Sequence, residues 1–221
     1  MPYRSHAGSH TRVVPHWYDN PCVRFRPVSH TALVDHVVTR LADTPGRLRV
    51  AVDGAPAVDP GRLADAFVGP LRVLGREVVR VRAMDFLRPA SLRFERGRTD
   101  PDSRYDDWLD EGALRREVLT GDKVLPAFWN VGTDRATRAD YVPLPPDGIV
   151  VVDGELLLGR GLPFDLTVHL WMSAPALARR TPAEDTWSLP TFARYEQEVD
   201  PLTTADIAVR VDDPNHPALK E

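Results

Sequence analysis

Gly54, Asp59, Pro60 and Gly61 stand where a chain would build a phosphate cradle. An apolar run over 48–52 leads into a short Gly/Pro turn, and a helical pattern opens at Pro60. Strand, loop and helix in that order form the frame of a G-x-x-x-x-G-K-[ST] loop. Such a loop wraps phosphates in backbone N–H groups, meets them with a lysine and places a hydroxyl on Mg²⁺. Laid on the frame, Gly54 takes the first glycine, Asp59 the second, Pro60 the lysine and Gly61 the Ser/Thr. The frame is present and its chemistry is not. Pro60 has neither an ammonium nor an N–H, and Gly61 has no hydroxyl. Asp59, as a helix N-cap, aims its carboxylate at the N–H groups an anion would use. A phosphate roughly 4 Å from that carboxylate meets a repulsion of about 4 kcal/mol per unit charge at an effective dielectric near 20.

The elements that position these residues follow from periodicity. Apolar positions Leu33, Val34, Val37, Val38 and Leu41 predict a helix over 29–42, capped by Ser29 and ended by Pro45-Gly46. A strand over 48–52 precedes the helix at Pro60, which presents Leu63, Ala64, Phe67, Leu71 and Leu74 on one face and stops at Gly75. Strands follow at 77–83, 148–152, 165–171 and 205–211, and helices at 111–119, 174–180 and 191–199. Strands separated by helices predict an α/β fold, a mainly parallel sheet with helices on both faces. One domain over 26–221 is expected, with an irregular or hairpin insertion at 123–146 and a loosely ordered tail over 1–25.

Composition removes several classes. The chain has 221 residues, a net charge of −4 and 43% hydrophobic residues, so nothing in its charge favours nucleic acid as a partner. The single cysteine, Cys22, excludes an intramolecular disulfide. His6, His10 and His16 in the tail read as solvated residues, and no metal site is predicted. The sequence lacks an apolar run long enough to span a membrane and a charged-then-apolar start, so a cytoplasmic protein without a membrane partner is expected.

Further motifs carry a resemblance. Met84-Asp85-Phe86-Leu87-Arg88-Pro89 resembles the Asp-Asp-Phe-His-Arg-Pro or Asp-Ser-Phe-Tyr run of uridine kinases. The basic segment from Arg93 to Arg98 with Asp100-Pro101-Asp102, the run Asp107-Trp108-Leu109-Asp110 and the strand end Val151-Val152-Asp153-Gly154-Glu155 resemble later motifs of the same enzymes. So do Arg194-Tyr195, Ala205-Asp206-Ile207 and Asp212-Asp213-Pro214, all in order from about residue 26 to 219. The chain thus resembles uridine kinase-like proteins of the P-loop nucleoside kinase family. The resemblance implies a three-layer fold around a parallel five-stranded sheet, ATP at the loop, and phosphoryl transfer to the 5′-hydroxyl of a nucleoside held under a helical lid.

Carried onto this chain, the resemblance puts the catalytic carboxylate on Met84, which can take no proton, with Asp85 next to it as the available base. Asp153 ends an apolar strand, the right place for a carboxylate that organises magnesium. Phe86, Arg88, Arg93, Arg98, Tyr105, Asp107 and Trp108 supply an aromatic to stack a base, an Arg fork and a carboxylate for a substrate. Arg179, Arg180 and Arg194 fall where the family keeps lid arginines, although 181–190 between them is acidic and proline-rich.

The leading expectation is a uridine kinase-fold protein that binds a nucleoside, nucleotide or related small molecule and has lost ordinary ATP-dependent transfer. No cofactor is expected in that case. ATP and Mg²⁺ belong to an alternative, an active kinase in which Arg62 or Arg88 stands in for the lysine. A second alternative is a non-catalytic scaffold that meets a partner through the tail or the Trp129 insertion.

Overall fold

The computed structural model describes residues 23–221; the tail histidines and Cys22 lie outside them. Strand β1 (Phe25–Pro27) and helix α1 (His30–Ala42) come first. Ser29 caps α1 by accepting the Ala32 N–H through its hydroxyl at 3.1 Å. Strand β2 (Leu48–Gly54) then leads through a 3-10 turn (Pro56–Val58) into α2 (Pro60–Val73), and β3 (Val78–Arg82) follows. Short helices α3 (Ala90–Arg93), α4 (Pro101–Asp106) and α5 (Glu111–Leu114) cross the sheet end, and α5 runs on as a π-helical turn to Leu119.

The 123–146 segment is a pair of small two-stranded ribbons, as its composition predicts. Strand β4 (Lys123–Val124) pairs with β7 (Val142–Pro143), and β5 (Trp129–Asn130) with β6 (Arg135–Ala136). The chain closes with β8 (Ile149–Gly154), β9 (Leu166–Trp171), α6 (Ala174–Arg180), α7 (Leu189–Glu198), α8 (Pro201–Thr204), β10 (Ile207–Arg210) and β11 (Ala218–Lys220).

Seven strands form the main sheet in the order β1-β11-β10-β9-β2-β8-β3. Strands β10, β9, β2, β8 and β3 are mutually parallel, the five-stranded sheet expected. The expectation missed two short antiparallel strands at one edge, where β1 and β11 pair Phe25 with Lys220 and Arg26 with Leu219. At three residues each they are too short to show a period.

Alternation along each strand sets what faces where. In β2, Val50 and Val52 join Leu33, Val37, Phe67 and Leu71 in a core under α1 and α2. Ala51 points the other way, into a core with Leu114, Leu177, Phe192 and Tyr195 from α5, α6 and α7. Two apolar faces on a central strand require helices on both sides, and each buried Val, Leu or Phe contributes about 1.5–3 kcal/mol. The same parity places Asp53 on the α7 face and, in β8, Asp153 on the α2 face. Both carboxyls therefore sit at the carboxyl ends of central strands, where open α/β sheets bind ligands.

Candidate functional site

The loop between β2 and α2 is closed on itself. Val58 N–H donates to Ala55 O at 3.0 Å and Asp59 N–H to Pro56 O at 3.1 Å. Arg62 N–H is taken by the Asp59 carbonyl at 3.2 Å and the Asp59 carboxylate at 3.1 Å. Positions 56 and 60, being prolines, have no N–H to offer. Asp59 holds a left-handed backbone, φ 51°, which an Asp tolerates because its side chain bonds locally. Behind it, Val58 folds onto Gly54 so closely that a Cβ on Gly54 would lie 2.6 Å from Val58 Cγ2. A phosphate loop surrounds an anion with free N–H groups; here the valine and the aspartate fill that volume.

Gly61 opens α2 against Asp153. The absence of a side chain leaves room for the carboxylate, since a Cβ there would meet Asp153 Oδ2 at 3.0 Å. Arg80 reaches Asp153 Oδ1 at 2.9 Å and Asp65 Oδ1 at 2.9 Å, so the strand-end carboxylate is already ion-paired. Burial nevertheless pushes the Asp153 carboxyl above the usual aspartate range, with Arg80 opposing. A raised value means that the protonated acid stabilises the fold below pH 4 and that this contribution disappears as pH rises through the folded value. Asp153→Asn cannot titrate. Its melting temperature is therefore expected to gain on that of the native chain as the pH rises from 4 to 7. Thermal unfolding of both proteins at the two pH values checks this.

These groups line a cavity of about 540 Å³ at the ends of β2, β8 and β3. Gly54, Asp59, Pro60, Gly61 and Asp153 form one side. Met84, Arg93, Arg104, Trp108, Glu155 and Arg160 form the other. Its cations are committed. Arg104 makes a two-pronged bond to Glu155 at 2.7 and 3.0 Å. Arg160 pairs with Glu111 and donates to Tyr105 O at 2.6 Å, and Arg82 grips Asp85 at 2.8 and 3.0 Å. Arg93 donates to Arg88 O at 2.7 Å, and burial lowers its pKa. Arg104 also lies over the Trp108 and Trp187 rings, at 5.1 and 5.4 Å. The wall is largely apolar and aromatic, with its arginines held in place by their partners.

Other sequence candidates lie outside this cavity. Asp85 is in a shallower cleft on the α2 side, with its carboxylate in the Arg82 fork. Phe86 is fully buried and stacks on Phe128 at 6.1 Å. Arg88 gives its N–H to Trp108 O at 2.8 Å. Arg98 lies over Phe94, and Asp107 pairs with Arg96. Arg179 and Arg180 are exposed at the end of α6. Arg194 bonds Asp102, Asp106 and Glu198 while covering the Tyr105 ring at 4.1 Å, which joins α7 to α4. Arg62 lies outside the cavity too, on the far side of the loop. Magnesium and a triphosphate do not fit the residues present: the anion position holds Asp59, the lysine position has no cation and the metal position has no hydroxyl.

The sequence reading missed a buried triad. Asp53, with no exposed surface, accepts the Leu157 N–H on Oδ1 at 2.8 Å. Its Oδ2 lies 2.6 Å from His169 Nδ1 and accepts the Tyr195 hydroxyl at 3.0 Å. Tyr195 in turn accepts the Leu158 N–H at 3.0 Å. Leu156, left-handed at φ 58°, turns the chain so that these two N–H groups reach the triad. The available signal was an imidazole inside the apolar strand 166–171 and a carboxylate closing the apolar strand 48–52, both polar side chains at buried strand positions.

No protein-family model and no curated protein matches the chain. Solved structures do. A possible uridine kinase from Bacillus stearothermophilus aligns over 80% of this chain and 97% of its own, with a TM-score of 0.66 and 19% identity. A putative fructose transport system kinase from Silicibacter sp. TM1040 aligns over 80% and 92%, with a TM-score of 0.54 and 20% identity. The YGR205w protein aligns over 85% and 98%, with a TM-score of 0.54 and 11% identity. The chain has the fold of the uridine kinase-like P-loop kinases.

Proposed function

We propose that this chain binds a nucleoside, a nucleotide or a related small molecule in the cavity at the ends of β2, β8 and β3, without ordinary ATP-dependent phosphoryl transfer. The observation that carries the proposal is the closed loop. Val58 occupies the space beside Gly54, Asp59 caps α2, and the N–H groups of Val58, Asp59 and Arg62 are spent within the loop. Phosphoryl transfer depends almost wholly on positioning and on charge aimed at the transferring group. Both are missing on the donor side, and Met84 stands where the acceptor side needs a carboxylate. The acceptor side of the cavity keeps an aromatic, largely apolar wall with a few fixed polar groups, which supports retained binding. The fold shared with a possible uridine kinase supports the nucleoside class.

Isothermal titration with uridine, UMP and Mg²⁺–ATP tests the reading. Uridine or UMP is expected to bind saturably, and ATP to give no heat up to about millimolar concentration, a free energy near −4 kcal/mol. Micromolar ATP binding with turnover of uridine would overturn it, and so would silence toward all three ligands.

A further inference from the structure

A second cavity, of about 470 Å³, lies beyond Leu156 on the other side of β2, between the end of β9 and helices α6 and α7. Leu170, Met172, Leu177 and Phe192 make most of its wall apolar. Two titratable side chains on that wall need an account. His169 is 3% exposed, and its Nε2 is buried with no hydrogen-bond partner among the described residues. Glu196 lies beside it, accepting the Trp171 indole N–H at 3.2 Å, with burial pushing its carboxyl up. A buried imidazole nitrogen without a partner costs about 1–3 kcal/mol, which a donor supplied by a ligand would recover.

The bonding of the triad fixes what His169 can do. Asp53 accepts three donors, and with Nδ1–H given to Asp53 the neutral ring leaves its Nε2 lone pair as the free group. An acceptor on the wall calls for a donor on the ligand. Charge sets a second condition. The carboxyls of Asp53 and Glu196 flank the imidazole, and among the described residues no Arg or Lys lines this cavity. The neighbouring cavity differs in being lined by Arg82, Arg93, Arg104 and Arg160, each held by a carboxylate or a carbonyl. This one disfavours anions.

We propose that the α6/α7 cavity is a separate binding site for an apolar, neutral or cationic molecule that donates one N–H or O–H to His169 Nε2. A heteroaromatic amine is the class that fits. The imidazole, pinned by Asp53 and Tyr195, orients such a ligand before it arrives. A ligand has to displace the atoms now covering Nε2, so binding shifts the neighbours of His169 as well as the ring itself. The site touches the closed loop only at Gly54 and Ala55 and shares Gly54 and Leu156 with the nucleoside cavity, while His169 and Glu196 line this cavity and not that one.

The probes are indole, 1-methylindole, tryptamine and indole-3-carboxylate, titrated into the full chain carrying ¹⁵N-labelled histidine. Long-range proton–nitrogen spectra follow the His169 ring. Indole is expected to saturate and to move the Nε2 resonance, while 1-methylindole, which has no N–H, binds at least about tenfold more weakly. Tryptamine is expected to outbind indole-3-carboxylate. In His169→Phe the preference for indole over 1-methylindole should vanish. Since the readout is on the native chain, a misfolded variant does not decide the matter. Equal binding of indole and 1-methylindole, or no saturable change at His169 with any probe, would overturn the proposal.

Discussion

Asp53→Ala is expected to destabilise the chain by about 3–5 kcal/mol, because three buried groups lose their shared acceptor at about 1–3 kcal/mol each. At roughly 2–4 °C per kcal/mol for a chain of this size, the melting temperature falls by about 6–20 °C. The carboxylate holds together four elements that are remote in sequence: β2 through its own backbone, the turn after β8 through Leu157, β9 through His169 and α7 through Tyr195. Alanine leaves a buried N–H, a phenol and an imidazole without their acceptor, and it releases the left-handed turn at Leu156 that the Leu157 bond constrains. Asp53→Asn separates charge from shape. The amide oxygen still accepts the Leu157 N–H, but the amide NH₂ faces His169 Nδ1 and forces the other tautomer. A loss near 1–3 kcal/mol is expected there. Calorimetric unfolding of the two variants at neutral pH is the measurement, and a loss under about 1 kcal/mol for Asp53→Ala would show that the triad is not a structural centre.

That triad also marks the limit of what the sequence made legible. The α/β alternation, the mainly parallel sheet and the two caps at Ser29 and Asp59 follow from local rules, because periodicity and capping act over a few residues. The Asp59 cap is the clearest case: the dipeptide Asp-Pro reads as a helix start, and its carboxylate accepts the Arg62 N–H at 3.1 Å. Contacts between distant positions had no such local signature. Arg104 with Glu155 are 51 residues apart, Arg160 with Glu111 are 49 apart, and Asp53 with His169 are 116 apart. A motif alignment could not show that Arg194 would be absorbed by Asp102, Asp106 and Glu198, or that Phe86 would turn into the core. Arg93 and Trp108, named with the acceptor group, do line the main cavity, whereas Arg88, Arg98, Tyr105 and Asp107 surround it from outside. Spacing along the chain placed the right segments at the sheet end. Which side chains turned inward depended on packing and on ion pairs that only the fold creates.

Rebuilding the loop in two steps is expected to separate its chemistry from its shape. The substitutions Asp59→Gly, Pro60→Lys and Gly61→Thr restore the glycine, the ammonium and the hydroxyl of the phosphate-loop pattern. Glycine suits φ 51° and removes the internal carboxylate. That triple variant alone is nevertheless expected to bind Mg²⁺–ATP no better than about millimolar, for two reasons. Val58 still lies against Gly54, within 2.6 Å of the position a Cβ would take. Pro56 still withholds an N–H from the loop. The threonine also approaches Asp153, whose Oδ2 is 3.0 Å from the position of its Cβ, and the Arg80 pair has to shift to receive it. Adding Pro56→Gly and Val58→Gly empties the concavity and frees its N–H groups. Two to three charge-assisted bonds at about 1.5–3 kcal/mol each then have room to form. A gain of roughly 100-fold or more in ATP affinity over the triple variant is expected, since each 1.4 kcal/mol is tenfold. Calorimetric titration of the three proteins decides between causes. If the triple variant binds as well as the fivefold one, Asp59 and the missing lysine are the whole obstacle and the Val58 packing is incidental. If the fivefold variant folds and stays silent, the barrier lies outside the loop, in the arginine pairs that fill the opposite wall.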